Sequence, residues 1–462
     1  MSHEELVVGI DSSTQSTKAM LVRAADGEVV DTRTAPHPEG TEVDPYAWLD
    51  ALRTAAGPLL DRASAVAVGG QQHGMVGLDA AGEPVRDALL WNDTRSAAAA
   101  NELVDEIGGP QACADATGSV FVASYTITKL RWLRDHEPDN AERVARVLLP
   151  HDFLTWHLAG RGDDPTTDRG DASGTGYFSP RADDWIPELA MNALGHEFDR
   201  PRIATPAETI GHVGDTVIAP GTGDNMGAAL ALDARPGDVV VSVGTSGVAS
   251  AVVEKPVADG TGLVSGFADA TGRFLPLACT LNAARILELA GRTLGVDQTR
   301  LSDLALSAAP GANGLALLPY LDGERTPNRP DAVGTMHGLT SQTTPADIAR
   351  ASVEALLCSL ADAVDALVDA TGVVPRRVLL VGGGARSEAV RTLAPAILGV
   401  PVVVPADAEY VALGAARQAA WALAGTAEPP SWSVAVGEPT EADPQPEVRA
   451  AYAHLRERTA DW

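Results

Sequence analysis

The chain has 462 residues, 45% hydrophobic and 21% charged, a composition ordinary for a globular protein and a length that points to two domains instead of one core. Its formal net charge is −28. That argues against nucleic acid or an anionic membrane as a partner, because both need clustered cations, whereas a small anionic substrate at a locally positive or metal-bridged site stays open.

In chain order, residues 6–10 read as a strand closed by the hydroxyl-rich turn 11–17. Residues 19–22 form a second strand, and Asp26-Gly27 gives a hairpin turn, so the chain opens as a β-meander. The stretch 45–60 reads as a helix, with Trp48, Leu52 and Leu59 on one face. A buried strand over 65–68 runs into Gly69-Gly70-Gln71-Gln72-His73-Gly74, and the alternation of strand and helix indicates an α/β fold. Further helices are expected after the polar cluster Asn92-Asp93-Thr94-Arg95, over 128–134 and over 150–158. Residues 163–173 read as an acid-rich loop and 195–207 as irregular chain. The glycine-dense turn 221–227 leads into a small-residue helix at 228–232.

The stretch 231–237, with Arg235-Pro236-Gly237, is the expected boundary. It divides the chain into 1–233, 234–427 and a tail, 428–462, that ends in a surface helix. The second segment echoes the first: strand 238–243, turn 244–247, strand 248–253. A polar loop at 321–327 follows, then a long helix with Val353, Leu356, Leu357, Leu360, Val364, Leu367 and Val368 on one face. A central strand at 378–381 ends in the glycine loop 382–384. Cys113, Cys279 and Cys358 are far apart with no CxxC, and no signal-type or membrane-length apolar run occurs, so a cytoplasmic chain is expected.

Neither GxxxxGK[ST] nor GxGxxG opening a helix is present, which disfavours P-loop and dinucleotide-binding chemistry. The turns at 11–17 and 244–247 offer backbone N–H groups and hydroxyls to phosphate oxygens, and Asp11 could hold Mg²⁺ directly or through water. Either turn alone is better read as a plain hairpin, but the two together with a third glycine loop are a less common coincidence. In the 221–227 turn, glycines let a ligand approach the backbone and the helix start favours anionic or polar groups. Asp224 there can be a proton acceptor or simply an N-cap.

The set resembles the FGGY family of carbohydrate kinases. The likeness is carried by Ser124-Tyr125-Thr126-Ile127-Thr128-Lys129-Leu130-Arg131-Trp132-Leu133-Arg134-Asp135-His136 and by Gly334-Thr335-Met336-His337-Gly338-Leu339 continuing to Asp347-Ile348 and Ala351-Ser352-Val353-Glu354. It extends to about residue 425, and loops 89–95, 223–225 and 319–327 place it nearest the members that phosphorylate xylulose. The resemblance implies two ribonuclease-H-like domains of the actin/hexokinase type flanking a catalytic cleft. It implies ATP-dependent phosphorylation of the terminal hydroxyl of a ketose, D-xylulose to D-xylulose 5-phosphate. Ribulose, a polyol or gluconate is the alternative substrate, and a non-catalytic sugar- or nucleotide-binding regulator is a third reading.

Position by position, the resemblance makes Asp224 the catalytic base and Asp11 the Mg²⁺ residue. It puts Thr14, Gln15, Ser16, Gly244 and Thr245 near the transferred phosphate, and Gly383, Gly384 and Ala385 on the adenosine. Gln72 and His73 fall on the pair that contacts sugar hydroxyls, although many members carry Met-His there, so Gln72 departs from the pattern. His73 as a structural histidine and Asn225 as a turn residue, not a hydroxyl or base partner, stay open. Asn92, Asp93 and Arg95 are expected to be structural, Glu324-Arg325 to fix their loop, and Trp132 and Lys129 to pack. Closure of the cleft on both substrates is expected, and a homodimer is one expectation for the assembly.

Overall fold

The structure, a computed structural model, describes residues 5–432 and 437–460. A seven-stranded sheet and a six-stranded sheet repeat one plan. In the first, Leu6–Ser12 pairs antiparallel with Ser16–Arg23, which pairs antiparallel with Val29–Pro36, while Ala65–Gly70 lies parallel on the other side of Leu6–Ser12. In the second, Asp238–Val243 pairs antiparallel with Gly247–Ala251 and that strand with Phe274–Thr280, while Arg377–Val381 lies parallel beside Asp238–Val243. This is the α/β arrangement of two ribonuclease-H-like halves. The central strands carry apolar residues on both faces (Val7, Val8 and Ile10; Val239, Val240 and Val241), as strands covered by helices on both sides require.

The helix Pro45–Leu60 forms over the expected residues, with Pro45 in its first turn and Asp44 accepting the Tyr46 N–H. The 27-residue helix Pro345–Thr371 is the spine of the second half: Thr344 and Asp347 make a capping box, Gly372 closes it in the left-handed region, and Val353, Leu356, Leu357, Leu360 and Leu367 are buried.

The helix Tyr410–Ala424 lies far on in the sequence yet packs on the first sheet, burying Ala412, Ala415, Ala416 and Ala419 against Val7, Met20 and Ala65. It also lies against the helix Asp224–Ala231. The contact is backbone to backbone: a Cβ on Gly9 would stand 1.9 Å from the Ala412 carbonyl, and one on Gly414 would stand 1.8 Å from the Gly227 carbonyl.

Three expectations are corrected. The stretch 163–173 is not a loop: Thr166–Asp168 is a strand, paired in parallel with Arg202–Ala204, and Arg169–Ala172 is a helical turn, all of it buried from Thr166 onward. The same pairing puts a strand inside 195–207. The last helix, Pro446–Arg458, is not a plain surface helix, since Val448, Tyr452 and Leu455 join the core of the second half. The expected tail also includes 433–436 and 461–462, which lie outside the described residues. Among the described residues no helix is long and apolar enough to cross a membrane.

Candidate active site

The two-residue strand Thr222–Gly223 adds in parallel to the end of Ala65–Gly70, so the chain entering Asp224 runs beside the chain entering Gln72 and His73. Asp224 is the first residue of the helix Asp224–Ala231, and the N-cap is Gly223, one residue before it. Its Oδ1 accepts from the Asn225 backbone N–H, in the first turn, at 2.7 Å and from Asn225 Nδ2 at 2.8 Å. Asn225 Nδ2 also donates to Gln72 Oε1 at 3.0 Å. The amide therefore bridges the two loops from the first turn of the helix Asp224–Ala231. Gln72 Nε2 is buried without a partner, leaving a donor at this junction.

Burial, and next the negative charge of Asp11, push the Asp224 carboxyl up to about 7. Asp11, the last residue but one of the strand Leu6–Ser12, is itself pushed up to about 6 by burial, partly offset by a hydrogen bond from Ser13 Oγ. Two buried carboxyls, one of which raises the other's proton affinity, suit a hard cation. Among the described residues no cluster of three or more His, Cys, Asp or Glu side chains could hold a metal. Mg²⁺ bound through one or two carboxylates, with water and phosphate oxygens completing its shell, fits that donor set.

His73 sits at φ 69°, a strained conformation for a non-glycine residue that is worth a functional explanation. Its Nδ1 lies 2.7 Å from the Gly174 carbonyl. Burial pushes its pKa down to about 3, so the ring is neutral near pH 7, Nδ1–H donates to Gly174, and Nε2 is left as an acceptor. The ring is flanked by Tyr125 at 4.9 Å and Phe267 at 5.7 Å between centroids. Tyr125 belongs to the first family-like segment but sequence reasoning gave it no role, and no spacing connects Phe267 to residue 73. The positive charge of Arg325 is felt at His73, Tyr125 and Cys279, so it faces this end of the site. Its neighbour Glu324 fixes the loop as expected, accepting from Leu281 N at 2.5 Å and Asn282 Nδ2 at 3.0 Å.

On the first turn, Trp91 Nε1 donates to Thr14 Oγ1 at 2.9 Å, and the Gln15 carbonyl accepts from His37 N at 2.8 Å. Ser16 opens the second strand and is half-buried. On the second segment, Gly244, Thr245, Gly383 and Gly384 line one cavity of about 660 Å³ with Ser302 and Arg386, a volume within the range of small-ligand sites. Gly384 must lack a side chain, since a Cβ there would stand 2.4 Å from Val243 Cγ1. Ala385 is not brought to the cavity: it is buried in the core, and its N–H donates to the Gly382 carbonyl.

Of the residues expected to be structural, Asp93, Arg95, Trp132 and Lys129 are held by neighbouring side chains or backbone, and Asn92 is exposed. Asp93 accepts from Thr41 and pairs with Arg95, which reaches Glu42. Trp132 packs under Arg86 and Arg95, and Lys129 Nζ donates to the Ala123 and Ser124 carbonyls.

Residues 6–229 match the N-terminal-domain model of the FGGY family of carbohydrate kinases, and residues 239–423 match its C-terminal-domain model. The chain is 47% identical to a xylulose kinase of Streptomyces coelicolor over 451 residues, covering 94% of this chain and 92% of the relative. It is 45% identical to a xylulose kinase of Streptomyces rubiginosus over 458 residues, covering 95% and 92%. Among solved structures, a xylulose kinase from Bifidobacterium adolescentis superposes with a TM-score of 0.91 at 45% identity, covering 98% of this chain and 100% of that one.

Proposed function

The chain belongs to the FGGY family of carbohydrate kinases, and on that premise we propose that it transfers the γ-phosphoryl group of ATP to the terminal hydroxyl of D-xylulose, giving D-xylulose 5-phosphate. The observation that carries the reading is the Asp224–Asn225–Gln72 chain of hydrogen bonds, which joins a carboxyl poised near pH 7 to the loop of His73. The high identity to relatives named for xylulose supports the choice of sugar.

In this reading Gln72 Nε2 and His73 Nε2 bind sugar hydroxyls, one donating and one accepting, while Tyr125 and Phe267 enclose the carbon chain. Asp224 receives the proton of the attacking hydroxyl. Because that hydroxyl is a weak acid, the proton moves late, as the bond to phosphorus forms, and an ordinary carboxylate suffices. Thr14, Gln15 and Ser16 from one turn and Gly244 and Thr245 from the other hold the phosphates, and Gly383 and Gly384 give the adenosine a close backbone approach. Mg²⁺ on Asp11 supplies charge neutralisation at the phosphates when bound. Closing the cleft keeps water from the γ-phosphate. The division into 1–233, 234–427 and 428–462 belongs to this proposal, as does a cytoplasmic setting, supported by three free cysteines.

ADP release measured with a panel of ketoses, polyols and sugar acids tests the assignment. Stimulation by D-xylulose well above the others is the expected result. Strong stimulation by ribulose or gluconate with little by xylulose overturns the choice of sugar, and no turnover with any member of the panel overturns the kinase reading.

A further inference from the structure

Below the two loops of the sugar end lies a buried ionic cluster that the phosphotransfer chemistry does not use. His151, the second residue of the helix Pro150–Leu158, is fully buried. Its Nδ1 stands 2.7 Å from Asp171 Oδ2, and its Nε2 stands 3.3 Å from Asp152 Oδ1 and 3.8 Å from Asp168 Oδ1. All three carboxylates are buried. One imidazolium among them supplies the counter-charge without which burying the acids would be very unfavourable, and they push its pKa up to about 9 against the opposing effect of burial.

His151 touches both loops, one with its ring and the other with its Cβ and backbone. A Cβ on Gly70, two residues before Gln72, would stand 2.8 Å from His151 Cβ, and one on Gly221, three before Asp224, would stand 2.5 Å from His151 Cδ2. Asp168 and the turn that carries Asp171 reach the same loops. Asp168 accepts from Thr222 Oγ1 at 3.3 Å and from the Gly170 and Asp171 N–H groups. The turn that carries Asp171 continues to Gly174, whose carbonyl holds His73. The contacts at Gly221, Thr222 and Gly174 lead to the sugar end, the one at Gly70 leads both to the sugar end and to Ser12, its partner in the neighbouring strand, and none of them leads to the cavity at 244–245 and 383–384.

We propose that His151, gripped by Asp171, Asp152 and Asp168, is a positioning residue that sets the spacing between the Asp224 loop and the Gln72–His73 loop. It touches neither substrate. It acts by holding the base and the hydroxyl-binding side chains in register, so its loss is felt by the sugar far more than by ATP. The inference rests on the proposed function in placing those loops at the sugar end.

The test compares the parent enzyme with His151→Gln and Asp171→Asn. Parent turnover is measured first across the sugar panel and the variants are assayed with whichever sugar the parent uses, so failure of the xylulose assignment and failure of the positioning role read separately. For His151→Gln, kcat is expected to fall at least tenfold and KM for the sugar to rise at least fivefold. Its Kd for a fluorescent ATP analogue is expected to stay within twofold. In Asp171→Asn the imidazole loses its closest anion, so its proton leaves as pH rises through a range where the parent still holds it. The other titratable groups facing it, Asp152, Asp168 and beyond them Tyr177, are common to both proteins. The ratio of variant to parent kcat/KM is therefore expected to drop at least threefold between pH 7.5 and 9. Unchanged kcat and sugar KM in His151→Gln, or equal losses toward sugar and ATP, overturn the proposal. Should that variant not fold, a flat ratio for Asp171→Asn overturns it.

Discussion

At the scale of single residues, Asp224 is a carboxyl whose environment works against its charge: burial comes first, then the anion at Asp11. A base must be ionised to act, so for the free enzyme kcat/KM for the sugar is expected to fall tenfold per pH unit below about 7. A pH–rate profile that stays flat down to pH 5 would remove Asp224 from that role. Replacing it by Asn is expected to lower kcat by about 10²- to 10⁴-fold, the usual contribution of a general base, with ATP affinity kept. Stability runs the other way. The folded state holds a proton that the unfolded chain releases near pH 4, so this group destabilises the fold progressively as pH rises from about 4 to about 7 and by a constant amount above. Asp224→Asn removes that cost, and at pH 8 its Tm is expected to exceed the parent's by roughly 2 °C, read by calorimetry. An inactive variant that is more stable separates a functional acid from a structural one.

At the scale of elements, one alanine-rich helix, Tyr410–Ala424, lies beneath both the strand of Asp11 and the helix of Asp224. Its fit depends on missing side chains. Gly414→Ala would place a methyl 1.8 Å from the Gly227 carbonyl, and overpacking of this kind costs about 1–3 kcal/mol or more. The helix Asp224–Ala231 must yield, so both Tm and kcat are expected to drop. Gly57→Ala is the control: it lies inside the helix Pro45–Leu60 with nothing within 4 Å of the new methyl, and it is expected to stabilise by about 0.5–1 kcal/mol. Equal effects of the two changes would show that close packing under the acids is not what Gly414 serves.

These elements also show what the sequence made legible. The meander, the helices at 45–60 and 345–371, and the central strands have periodic apolar faces and recognisable caps, and they form where the pattern puts them. Turn chemistry brought out Asp11, the glycine loops and Asp224. The stretch 163–173 was misread because its acids look solvated. Asp168 is in fact consumed as a cap and Asp171 as the partner of His151, twenty residues away, and no local pattern reveals a counter-ion supplied by another helix. Phe267 and Arg325 reach the site only through tertiary packing. Ala385 sits in a loop recognised from sequence, but which way its methyl points is decided by the core behind it.

For the whole molecule the governing number is the net charge of −28. Nearly all the cations are arginines, since only Lys18, Lys129 and Lys255 are lysines, and many are held in short ion pairs such as Arg86–Glu137 at 2.5 Å and Arg377–Asp238 at 2.9 Å. The acids outnumber the cations even where one arginine serves two of them, as Arg86 serves Glu42 and Glu137, and their mutual repulsion acts over longer distances. Salt discriminates between the two. The Debye length falls from about 30 Å at 0.01 M to about 3 Å at 1 M, so dispersed repulsion is screened first, while pairs in contact keep most of their attraction. Tm is therefore expected to rise by roughly 3–6 °C between 10 mM and 0.5 M NaCl, and the rise should shrink as pH is lowered toward the sequence pI of about 4.6. A fall in Tm with salt would mean that the paired arginines contribute more than the surplus acids take away. The acidic surface would then owe its tolerance to those pairs and not to distance between like charges.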